Sequence, residues 1–118
     1  MADIKRLAAN PRMSGAVVHN HVVYLSGQVA IDHRGGAVPD QVEEVLSRID
    51  ALLQEAGSDR SRLLTASIFL SDLTILPDLN AVWDRWILPG CAPTRTTLEV
   101  KLASPLYALE IAVTAATD

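Results

Sequence analysis

Arg95-Thr96-Thr97-Leu98-Glu99-Val100-Lys101 and Tyr107-Ala108-Leu109-Glu110-Ile111-Ala112-Val113-Thr114-Ala115 are the last two runs of the chain in which aliphatic side chains alternate with others. A period of two is the mark of a strand with one face in a core. The Ser104-Pro105 turn between them predicts a closing hairpin. With Leu102–Pro105 as a four-residue loop, Thr97 falls opposite Glu110 and Leu98 opposite Leu109. One sheet face then carries Arg95, Thr97, Glu99, Ala108, Glu110, Ala112 and Thr114, while Leu98 and Leu109 turn toward the core.

Working back along the chain, Val42, Val45, Leu46, Ile49, Leu52, Leu53 and Ala56 follow the 3, 4, 7 spacing of an amphipathic helix, with Pro39 near its start and Gly57 just past its end. A second helix begins near Pro77, turns Leu79, Val82, Trp83 and Trp86 inward, and stops before Pro89-Gly90. Between the helices, Arg62 to Ser71 sets Leu64, Ala66, Ile68 and Leu70 against Thr65, Ser67 and Phe69, the pattern of a half-buried strand. Upstream, Ala16-Val17-Val18 and Val22-Val23-Tyr24-Leu25 flank His19-Asn20-His21, a hairpin signal because Asn tolerates the positive φ of a tight turn. Gly27 marks a bulge or a close approach to the backbone, and His33 to Val38 reads as a loop. The order strand, strand, helix, strand, helix, strand, strand predicts an α+β fold, a mixed sheet with two helices packed on one face. Two helices cannot cover both faces, so the other face needs a different partner.

With 118 residues the chain has the length of one domain, expected to span residues 1–118. Ten Lys and Arg against fourteen Asp and Glu give a net charge of −4, and a pI near 5.2 makes nucleic acid a poor partner. The longest apolar runs, Val22–Leu25 and Leu106–Leu109, fall far below the roughly 20 residues that span a bilayer, so no membrane association is expected. No apolar run follows the charges of the amino-terminal stretch, so no secretory signal is expected. Cys91, the single cysteine, fits a reducing compartment, and a cytoplasmic location is expected. At 49% apolar and 20% charged residues, with mean hydropathy +0.21, the composition is greasy for so small a domain. Burial between subunits is the implied remedy.

Tyr24-Leu25-Ser26-Gly27-Gln28, the helix end Ala51 to Ser58, the strand Thr65 to Asp72, Asn80-Ala81-Val82-Trp83, and Pro93-Thr94-Arg95 followed by Leu109-Glu110-Ile111 cover nearly the whole chain. In this set, and in its order, the sequence resembles the RidA (YjgF) family of small trimeric proteins, many of which hydrolyse reactive enamines and imines. The resemblance implies a chorismate-mutase-like fold and a homotrimer whose sheets form a central barrel, with ligand clefts between subunits. It also implies hydrolytic deamination of 2-imino or 2-enamino acids to 2-oxo acids and ammonia. The small-molecule partner would be a carboxylate, and neither a cofactor nor a metal is expected. The alternative from another class is a binding protein that holds a small carboxylate or carbonyl metabolite without turnover. Ribonuclease activity, a third proposal for the family, sits badly with a net charge of −4 and five aromatic residues.

Carried onto this chain, the family pattern makes Arg95 and Glu110 the catalytic candidates, with Arg12, Ser26, Gly27, Asn80, Cys91 and Thr97 lining the substrate. Arg95 taken alone could as well pair with Glu99 or Glu110, but its planar fork suits a substrate carboxylate, and the resemblance selects that role. Glu110 is the group expected to orient a water. Backbone N–H groups near Gly27 and Cys91 are candidate further donors, and for Cys91 the backbone is expected to matter more than the thiol. Arg12 stands where the better-known branch has a tyrosine, and Thr97 where it has a cysteine. His19 and His21 lack a third ligand at metal-binding spacing. Trp83 and Trp86 are expected in the core or an interface.

Overall fold

The computed structural model describes residues 3–118. Its first secure feature is the hairpin of β2 (Ala16–His19) and β3 (Val22–Leu25), joined by Asn20 and His21 at φ 50° and 65°. These are the paired positive φ values that let a two-residue turn match the twist of its strands. A short strand, β1 (Lys5–Leu7), pairs antiparallel with β2. Three residues are too few to show an alternation, which is why the sequence pattern does not reveal it.

The helix α1 (Val38–Glu55) starts with a proline in its first turn and buries Val42, Val45, Leu46, Ile49 and Leu53. Gly57 follows at φ 80°, a left-handed conformation that favours glycine at a helix end. The strand β4 (Leu63–Leu70) buries Ala66, Ile68 and Leu70 as expected. Leu64 departs from expectation: the register with β6 shifts between Leu63 and Thr65, so Leu63 takes the inward place and Leu64 is left 43% exposed. The helix α2 (Leu76–Trp86) buries Leu79, Val82, Trp83 and Trp86, the four inward residues its spacing predicts. Two strands complete the chain, β5 (Thr94–Glu99) and β6 (Leu109–Ala116).

The closing hairpin does not form. The sheet order is β1-β2-β3-β6-β4-β5, and β4 lies between the last two strands, parallel to β5 and antiparallel to β6. The segment from Val100 to Ala108 crosses over the end of β4, where the Val100 N–H donates to Leu70 O and the Ser71 N–H to Ala108 O, both at 2.9 Å. Thr97 therefore lies beside Ile68, and Glu110 beside Phe69, so Thr97 is not opposite Glu110 nor Leu98 opposite Leu109. The physical reason is the β4-α2-β5 crossover, which carries β5 to the far side of β4 and leaves the near side open for β6. The β3-α1-β4 and β4-α2-β5 crossovers advance in the same direction across the sheet. Right-handed connections then put both helices on one face. The molecule measures 46 × 37 × 21 Å, and its 21 Å thickness holds one sheet and one helix layer.

The new register divides the face expected to carry Arg95, Thr97, Glu99, Glu110, Ala112 and Thr114. Arg95, Thr97 and Glu99 share the face of Ala66, Ile68 and Leu70, toward the helices; Glu110, Ala112 and Thr114 share the open face with Phe69, Ser67 and Thr65. Leu98 lies on that open face, 49% exposed, not in the core.

The loop before α1 is held by one carboxylate. Glu44 accepts hydrogen bonds from the N–H groups of Asp32 and His33, from His33 Nδ1, and from Arg48 Nε. Burial alone would raise its pKa, but these four donors outweigh burial and pull it down to about 2. On the other side of the loop, the buried Gln41 donates to Gly36 O and Leu106 O and accepts from the Ala108 N–H, tying the β5–β6 crossing to α1.

Candidate functional site

The candidate residues fall into two clusters on opposite faces of the sheet. The first belongs to β5 and α2. Arg95 leaves the edge strand on the helix side, and its Nη1 donates to Asn80 Oδ1 at 2.8 Å. Its guanidinium carbon lies 5.7 Å from the centre of the Trp83 ring, within the range of a cation–π contact. The α2 sequence creates this arrangement, because burying Leu79 and Trp83 turns the half-buried Asn80 toward the same edge. Among the described residues Arg95 enters no ion pair, which sets aside the pairing with Glu99 or Glu110. Glu99 instead accepts the Leu73 N–H at 2.9 Å. Thr97, half-buried, lies two residues along the same face.

The second cluster is where the chain leaves β3. Gln28 forms a bridge to Ile111, with N–H···O bonds of 2.8 and 3.1 Å in the two directions, and this brings Gly27 against Glu110. A Cβ built on Gly27 would lie 2.7 Å from Glu110 Cδ, so the expected close approach is that of a carboxylate. The Gly27 N–H is taken by no backbone carbonyl among the described residues. Ser26 is fixed from both sides: its N–H donates to Gly15 O at 2.9 Å, and Gln28 Nε2 donates to Ser26 O at 3.1 Å. Gln28 is thus a positioning residue to which the sequence alone assigns no role, although Ser26-Gly27-Gln28 contains it.

Arg12 associates with this second cluster through the backbone. Asn10 Oδ1 accepts the N–H groups of Arg12 and Met13 at 2.8 and 3.0 Å, and the loop it shapes ends at Gly15, the partner of Ser26. The Arg12 side chain is exposed and in no ion pair among the described residues. Cys91 is a half-buried free thiol whose N–H already donates to Leu88 O at 3.0 Å, so its backbone is not the free donor the sequence suggested. His19 bonds locally to Asn20, and among the described residues no group of three side chains is placed to hold a metal. A groove of about 720 Å³ over Ser71, Glu99, Lys101, Ala103, Pro105 and Tyr107 contains neither Arg95 nor Glu110. No helix of the described residues is long and apolar enough to cross a membrane.

A chain with this sheet and these two clusters has relatives. The sequence profile of the family described as Endoribonuclease L-PSP matches residues 3–117. A solved YjgF-family protein from Neisseria meningitidis superposes with a TM-score of 0.92 at 37% identity, covering 98% of this chain and 96% of that one. The chain belongs to the RidA (YjgF) family. A RutC family protein of Haemophilus influenzae is 39% identical to this RidA-family chain over 112 residues, 95% of this chain and 97% of that protein. A solved protein from Pseudomonas aeruginosa gives a TM-score of 0.94 at 38% identity, covering 98% and 100% of the two chains. The mixed α+β fold with six strands and two helices is the fold of this RidA family.

Proposed function

We propose that this protein hydrolyses 2-imino and 2-enamino acids to 2-oxo acids and ammonia, in clefts completed by neighbouring copies of a homotrimer. The observation that carries the reading is Arg95, a cation oriented by Asn80 and the Trp83 ring, with no carboxylate in ion-pair distance among the described residues. An oriented, uncompensated guanidinium is what a substrate carboxylate requires. Glu110, across the sheet and against Gly27, is in no ion pair among the described residues. Because the two groups belong to opposite faces of one sheet, the reading joins Arg95 of one copy to Glu110 of the next. The exposed Tyr24, Leu64 and Leu98 support association of this kind.

In this reading Arg95 holds the carboxylate and Glu110 orients a water toward the imine carbon. The water oxygen bonds to that carbon as a proton reaches the nitrogen, giving a carbinolamine. The hydroxyl proton then passes to the nitrogen, the C–N bond breaks as the carbonyl forms, and the nitrogen leaves as ammonia. An enamine first takes a proton at its β-carbon. Orientation and one charge clamp account for the acceleration, and no cofactor enters the steps. Ribonuclease activity, which the family description names, is not supported by a chain of net charge −4 with five aromatic residues.

The test is the initial rate of ammonia and 2-oxo acid release from imines generated by an amino-acid oxidase, with and without the protein. The wild type is expected to accelerate release. Arg95→Ala is expected to lose about 30-fold or more, as a preorganised charge contact is worth about 2 to 4 kcal/mol. Binding of 2-oxo acids without acceleration would select the alternative, a carboxylate-binding protein.

A further inference from the structure

Two tryptophans on α2 each carry an arginine on the ring face. The guanidinium carbon of Arg60 lies 5.3 Å from the Trp86 centroid, that of Arg95 lies 5.7 Å from the Trp83 centroid, and the two rings meet at 5.5 Å with a 46° tilt. The cations are otherwise treated differently. Arg60 Nη2 donates to Asp50 Oδ2 at 2.9 Å, and the same oxygen accepts the Trp86 Nε1–H at 3.0 Å. Arg60 is therefore neutralised and serves to join α1, α2 and the turn before β4. Among the described residues Arg95 has only the neutral oxygen of Asn80.

We infer that Trp83 is a positioning residue for Arg95: its ring face holds the guanidinium in place without neutralising it, so that the full charge meets a ligand carboxylate. The inference rests on the anchoring role proposed for Arg95 and adds the group that sets its orientation. An aromatic face attracts a cation through its quadrupole, yet carries no net charge to compete with an incoming anion. An acidic residue in the same place would orient the arginine equally well and cancel it. Trp83 is only 5% exposed and packed on Trp86, so the ring cannot follow the arginine, and the arginine settles on the ring. Its rotamer freedom is thereby reduced before a ligand arrives.

The experiment measures equilibrium binding of pyruvate and of its neutral amide, pyruvamide, to the wild type, Trp83→Phe and Trp83→Leu, by calorimetry and independently of turnover. Wild type is expected to prefer pyruvate. Trp83→Leu is expected to weaken pyruvate about tenfold and Trp83→Phe about threefold, in the order of ring quadrupole strength, with pyruvamide unchanged. If Trp83→Leu does not fold, Trp83→Phe alone must still lower the pyruvate-to-pyruvamide ratio. Equal losses for both probes, or an unchanged ratio, would overturn the positioning role and leave Trp83 a packing residue. A wild type without preference for pyruvate would instead overturn the anchoring role of Arg95, and the inference with it.

Discussion

A methyl group added at Gly27 would run into the carboxylate of Glu110, the far end of a side chain that can swing away. Gly27→Ala is therefore expected to fold, with a melting temperature within a few degrees of wild type, and to lose at least about tenfold in imine hydrolysis if Glu110 orients the water as proposed, because the methyl group displaces its carboxylate. Matched melting and rate measurements check this; a Gly27→Ala variant at full rate would remove Glu110 from the reaction. Among single residues, Gly27 was legible as a close approach to the backbone, whereas Ser26, Arg95 and Glu110 became candidates only through the family resemblance. What could not be read was which of them meet. The Arg95–Trp83 contact depends on the packing of α2 over β5, and no spacing within the chain encodes it.

Among the helices and strands, both helices and the β2–β3 hairpin were legible because each carries its own signal: apolar spacing with a proline at the start, or a turn that demands positive φ. The β5–β6 pairing was not. Two alternating runs separated by Ser104-Pro105 look the same whether they pair with each other or flank a third strand, and the decision lies with the crossover of α2. The loop before α1 was legible as a loop but not as one held by Glu44, whose donors are backbone N–H groups and distant side chains. Its folded pKa, lowered to about 2, lies below the ordinary carboxylate value. The stabilisation is thus complete above about pH 4.5 and is lost as pH falls toward 2, an effect of about 1 to 2 kcal/mol after solvent screening. Glu44→Gln should melt lower than wild type at pH 7, and the gap should have narrowed by about half at pH 3. A gap that stays constant with pH would show that the ionised carboxylate is not what holds the loop.

Across the molecule, one face of the sheet is covered by α1 and α2, and the other presents Tyr24, Phe69 and Leu98 among Thr65, Ser67, Ala112 and Thr114. A mean hydropathy of +0.21 agrees with that face being buried between copies. Sedimentation at micromolar concentration is expected to give a trimer, and Leu98→Glu to weaken it by setting a charge on the face proposed to be buried between copies. A wild-type monomer or dimer would refute the trimer. Everything proposed for the reaction turns on each site taking Arg95 from one copy and Glu110 from its neighbour, and complementation probes that sharing. Arg95→Ala and Glu110→Gln proteins, each inactive alone, are unfolded together in equal amounts, refolded and assayed for imine hydrolysis. Random assembly places an intact Arg95 against an intact Glu110 at about one interface in four. Recovery of about a quarter of wild-type activity is the expected result, whereas a mixture as inactive as its parents would rule out a site shared between copies.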